Sequence, residues 1–120
     1  MLTHFASPVE AAMAAVGTAV PILWGAYFLV SWRTMWLHAS VGLASGALAA
    51  VGTCAGVPTL HGVAFVLLFP ETAFWLLAAL WISLGEGWTR ERVYVVAGVG
   101  VLHVPALVAL LRLFLYWSPS

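Results

Sequence analysis

The chain has 120 residues, 64% of them hydrophobic and 7% charged, with a mean hydropathy of +1.08 and a formal net charge of +0. A water-soluble domain carries roughly a quarter of its residues as charges, so this composition excludes one and predicts an integral membrane protein. Lys, Asp, Asn and Gln are absent and Cys54 is the single cysteine, which removes Schiff-base chemistry, the P-loop, Ser-His-Asp triads, internal disulfides and Cys-x-x-Cys sites.

Four apolar stretches follow in chain order, each near the ~20 residues that cross a hydrocarbon core of about 30 Å. The first runs from about Val9 to Trp32. It lacks a basic leader and is closely followed by a second stretch, so it is expected to be retained and not cleaved. Arg33 alone separates it from the second, about Thr34 to Gly56. Gly42 and Gly46 stand four apart there, with Ala39, Ala49 and Ala50 near the same stripe. This small-x-x-x-small pattern lets a neighbouring backbone approach closely and predicts a central helix. A turn with Pro58 leads to the third stretch, about Leu60 to Leu84. The loop from Gly85 to Arg92, GEGWTRER, holds four of the eight charged residues and precedes the fourth, about Val93 to Trp117.

Continuous apolar runs of this length read as helices and not as the ten-residue alternating strands of a membrane barrel. The expected fold is therefore all-α: one integral membrane domain over residues 1–120, a four-helix transmembrane bundle running up-down-up-down with short loops. Arg33, Arg90 and Arg92 fall on one side and Arg112 on the other. The positive-inside bias then puts the first and third loops in the cytoplasm and both termini outside, as in a bacterial cytoplasmic (inner) membrane. Trp32, Trp36, Trp81, Trp88 and Tyr94 would flank the inner interface, and Tyr116 and Trp117 the outer one.

An ionisable residue inside a bilayer costs about 3 kcal/mol on insertion scales and asks for a reason. Glu71 lies near the centre of the third stretch, directly after Pro70. Counting about 1.5 Å per residue from the helix ends puts His103 within roughly 5 Å of the same depth. Glu71 and His103 thus form a candidate proton, ion or substrate site, with Trp75 four residues on and on the same helical face. Pro21, Pro70 and Pro105 each free a carbonyl four residues earlier, at Gly17, Val66 and Val101, a feature shared by midplane ion sites.

The remaining histidines are candidate cofactor ligands. No two lie at matching depth on well-placed helices, so an intrinsic haem is not expected. A chlorophyll-type pigment needs one axial imidazole beside small residues. His38, near Ala39, Gly42 and Ser45, and His103, near Gly100 and Ala106, fit that description. No metal-ligand spacing is present. Glu10, His4, His61 and Arg112 form a candidate polar cluster at the outer surface, with Arg112 reaching the interface along its stem.

Two function classes follow. The first is a non-catalytic multi-pass subunit packed within a larger membrane complex, of a respiratory or photosynthetic electron-transfer assembly. It would lend a histidine to a pigment or line a quinone path. The alternative is a small oligomeric transporter or channel with a Glu71/His103 relay. The expected partners are the lipid bilayer and other membrane subunits or further copies of the chain; net neutrality without a basic cluster excludes nucleic acid. The scarcity of polar groups on every helix favours the first class.

Overall fold

The computed structural model describes residue 5, residues 7–85 and residues 90–119, without the side chains of residues 91–93. The expectations for His4, Glu86 and Trp88, and for the side chains of Glu91 and Arg92, lie outside the described residues. Four helices make up the structure: α1 (Pro8–Ser31), α2 (Trp36–Ala55), α3 (Pro58–Leu84) and α4 (Arg90–Tyr116). One 3-10 turn, Arg33–Met35, leads into α2.

Local chemistry sets the boundaries. Both α1 and α3 begin on a proline, whose missing N–H would have no helical partner at that position and whose fixed φ suits a first turn. Between α2 and α3, Gly56 adopts φ +68°. The N–H of Val57 then closes on the carbonyl of Gly52 at 2.8 Å, a Schellman ending that satisfies an otherwise orphaned acceptor. Pro58 therefore opens a helix where a turn was expected, and Arg90 likewise begins α4 where a loop was expected. Pro21, Pro70 and Pro105 lie inside α1, α3 and α4, which continue through them.

α1 packs on α2 and α4, and α3 packs on the same two helices. The bundle is thus four-cornered, 53 Å long and 23 by 20 Å across. Short connections make successive helices antiparallel. All four are long and apolar enough to cross a membrane. Their outward faces carry large apolar residues such as Leu23, Val30, Leu77, Val101 and Val108, as helices bathed in lipid must, because backbone groups are satisfied within each helix and only side chains meet the hydrocarbon.

Two structural details position the site. The helices have unequal lengths: α3 and α4 have 27 residues each and α2 has 20. At about 1.5 Å per residue, α3 is roughly 40 Å long and overshoots a core of about 30 Å. The second detail is the α1–α2 contact. A Cβ at Gly42 would fall 2.9 Å from the Pro21 carbonyl oxygen, and one at Gly25 would fall 2.8 Å from the Ala39 carbonyl oxygen. Gly46 faces Ile22 and the Thr18 carbonyl just as closely. The small stripe of α2, Gly42 and Gly46 included, is therefore occupied by α1.

Candidate functional site

With one face of α2 committed to α1, its polar chemistry turns to α3. His38 and Glu71 meet across that boundary, Nδ1 to Oε1 at 2.6 Å. The second carboxylate oxygen accepts the indole N–H of Trp75 at 3.0 Å, the contact that a four-residue spacing on one helix face allows. Trp75 is itself buried and stacks on Phe28 of α1 at 4.9 Å with an interplanar angle of 11°. Glu71 is thus held from both sides, by an imidazole on α2 and by an indole fixed in the core.

The imidazole of His38 is equally constrained. Phe74 stacks against it at 4.6 Å, and Trp75 meets it edge-on at 5.3 Å. A carboxylate only accepts, so the short contact to Glu71 places a ring proton on Nδ1, and in the neutral imidazole Nε2 is then the lone pair. The side chain is 21% exposed, and Nε2 has no hydrogen-bond partner and is not among the buried unsatisfied atoms. An imidazole oriented through one nitrogen and open at the other is the arrangement in which histidine binds metals, with the carboxylate fixing tautomer and raising basicity.

The direct Glu71–His103 contact expected from depth counting is not made. His103 is buried on α4 and its Nδ1 bonds the Val99 carbonyl of its own helix at 2.5 Å. Glu71 uses both carboxylate oxygens on His38 and Trp75. Glu71 and His103 both stand at the midpoints of 27-residue helices, so level depth is not enough: the Glu71 carboxylate turns to α2, where depth counting on level helices had placed His38 too far away, near the start of that shorter helix. The surroundings expected of the two candidate pigment ligands also differ from the structure. Gly42 is packed against the Pro21 carbonyl and Ser45 is bonded to the Ala64 carbonyl, whereas the His38 ring lies against Phe74 and Trp75 and stays 21% exposed. His103, at 4% exposed, has no open side.

An apolar groove of about 600 Å³ adjoins the pair, lined in part by Trp32, Met35, Phe74, Trp75, Ala78 and Trp81. That volume is in the range of ligand pockets, roughly 300–1,000 Å³. Phe74 and Trp75, the two rings that hold His38, form one of its walls.

Elsewhere, polar groups are used as ties between and within helices. Ser45 donates to the Ala64 carbonyl at 3.0 Å, joining α2 to α3. Thr72 and Thr53 donate to carbonyls four residues back. His61, expected in a surface cluster, is instead fully buried, with Nε2 3.0 Å from the Thr53 hydroxyl and its ring edge-on to Trp117. Because the Thr53 proton goes to Ala49, the hydroxyl accepts from His61 Nε2–H, and the buried Nδ1 that has no partner is a lone pair and not an orphaned donor. No group of three or more His, Cys, Asp or Glu that could hold a metal ion by protein ligands alone occurs among the described residues.

Comparison of the chain with models of known families, with curated proteins and with solved structures gives no match. Function is therefore argued from the site itself.

Proposed function

We propose that this multi-pass membrane protein is a non-catalytic subunit of a larger membrane electron-transfer assembly, in which His38 is its contact to a cofactor. The observation that carries the reading is the 2.6 Å bond between His38 Nδ1 and Glu71, which would leave Nε2 of the neutral ring to the metal of a tetrapyrrole held between this chain and a neighbouring subunit. The apolar groove beside Phe74 and Trp75 would take a hydrophobic edge or tail of that cofactor. A part-buried carboxylate at the middle of an apolar helix is hard to account for in a passive spacer. As the orienting partner of a ligand it has a role.

A proton or ion relay through Glu71 and His103 is less well supported. Both carboxylate oxygens already have partners, and the imidazole of His103 is bonded to its own helix. No chain of polar side chains links the pair to either end of the bundle among the described residues.

Native purification followed by mass measurement and an absorbance spectrum tests the proposal. Co-migration with larger subunits and a pigment band that shifts or disappears in His38→Ala is the expected result. A colourless assembly of this chain alone would overturn it, and flux of protons in liposomes that is abolished by Glu71→Ala would favour transport instead.

The orientation we propose, in a bacterial cytoplasmic membrane with both termini outside, rests on Arg33, Arg90 and Arg92 lying at one end and Arg112 at the other. Cys54, exposed beside the α2–α3 turn, should then react with a membrane-impermeant maleimide added to intact cells. Reaction only in inverted vesicles would reverse the orientation.

A further inference from the structure

The apolar groove beside His38 restricts what a cofactor held there can be. Its lining runs along α3 from Phe74 to Leu84, joined by Trp32 and Met35 from the α1–α2 connection and by Val96 of α4. At about 1.5 Å per residue that wall is roughly 15 Å long, far more than a methyl, vinyl or ethyl substituent of a macrocycle would fill. Phe74 and Trp75 belong both to this wall and to the rings packed on His38. A molecule held on that imidazole therefore has the groove directly beside it.

Every described lining side chain is aliphatic, aromatic or a thioether, and the indole N–H of Trp75 is already given to Glu71. Arg33 and Arg90, the cations described near this end of the bundle, are exposed and do not line the groove. A carboxylate entering it would lose its hydration and find no cation in exchange. A haem carries two propionates, whereas an esterified pigment carries a hydrocarbon chain in place of one such acid. The groove suits the chain and not the acid. Leu77, Leu80 and Trp81 are exposed, so such a chain has access from the lipid side.

We propose that the cofactor on His38 is a tetrapyrrole esterified with a long isoprenoid alcohol, and that this groove holds the isoprenoid tail. The inference rests on the reading of His38 as a cofactor contact and adds the chemical class of the cofactor. Lipid acyl chains compete for the same space, so the tail is held by close packing on the rings of Trp32, Phe74, Trp75 and Trp81 and not by escape from water.

The test is pigment exchange on the natively purified assembly, stripped of its cofactor and offered chlorophyll a or chlorophyllide a, which share macrocycle and metal and differ in the isoprenoid ester. Chlorophyll a should be retained about tenfold more, a difference of about 1.4 kcal/mol, and His38→Ala should abolish retention of both. Leu77→Trp crowds the groove while keeping its surface apolar, and should lower retention of chlorophyll a to the level of chlorophyllide a. A preference undiminished in Leu77→Trp would be partition of the tail into detergent and would overturn the proposal. Equal retention of the two pigments by the unaltered protein, with both lost in His38→Ala, also overturns it while leaving the reading of His38 intact, and that comparison needs no groove variant to fold. Extraction of a haem with free propionates as the native cofactor has the same meaning. Retention of neither pigment, or of both in His38→Ala, overturns the reading of His38 and the tail assignment with it.

Discussion

The two faces of α2 are built on opposite terms. Toward α1 the contact is dry and glycine-lined, with backbone against backbone and less than 3 Å available for an added Cβ at Gly42. Toward α3 it is polar, tied by Ser45 to the Ala64 carbonyl and by His38 to Glu71. At Gly42 and Gly46 the first face has no space even for a methyl group, and where it opens, beyond Thr18 and Ala50, the pocket between α1 and α2 is apolar. The second uses side chains of ordinary length, and those side chains leave an accessible nitrogen at its lateral edge. One helix thus separates the packing of the bundle from its chemistry. That separation explains why the small residues near His38 in sequence do not surround it in space.

The comparison can be broken at either face. The largest effect is expected from Gly42→Leu, because the side chain would strike the Pro21 carbonyl and not a flexible neighbour. Overpacking of this kind costs about 3 kcal/mol, and thermal or denaturant unfolding in detergent should show the loss of α1–α2 association. A fully stable Gly42→Leu variant would mean that the two helices are not in backbone contact. Trp75→Phe comes next. It keeps a ring to stack on Phe28 and deletes the donor to Glu71, so a loss of roughly 1–2 kcal/mol is expected, along with a change in any spectrum that reports on His38. An unchanged stability would show that the indole N–H is not bonded to the carboxylate. Thr53→Val should cost about 1 kcal/mol by leaving His61 Nε2–H without its acceptor. The smallest effect, about 0.5 kcal/mol, is expected for Ser45→Ala, since the Ala64 carbonyl keeps its place in α3.

How much of this was legible in the sequence differs between the same two faces. Four helices follow from apolar runs long enough to span a bilayer, and the α1–α2 contact is foreshadowed by Gly42 and Gly46, because both signals are local. The Glu71–Trp75 contact is equally local, one helical turn. His38 is the exception. Its pairing depends on how far α3 overshoots α2, and that offset is set by the Gly56 turn, the extra 3-10 turn at Arg33–Met35 and the added helical residues at Pro58, none of which depth counting on level helices includes. Phe28 and Phe74 carried no signal of their own, since an aromatic residue in an apolar run reads the same whether it faces lipid or a catalytic or ligand-binding group. His61 looked like a surface residue for a similar reason: it is one turn from a helix end, and it is enclosed by tertiary packing, with Thr53 on its Nε2 and Trp117 edge-on to its ring.

The central claim is that Glu71 fixes the proton of His38 on Nδ1 and leaves Nε2 available to a ligand. Nitrogen-15 NMR of the imidazole in the detergent-solubilised protein tests this directly. The account predicts a neutral ring with a protonated Nδ1 and a bare Nε2 in the unaltered chain, and loss of that tautomer in Glu71→Ala. A ring protonated on Nε2 with Nδ1 bare, unchanged by Glu71→Ala, would contradict it.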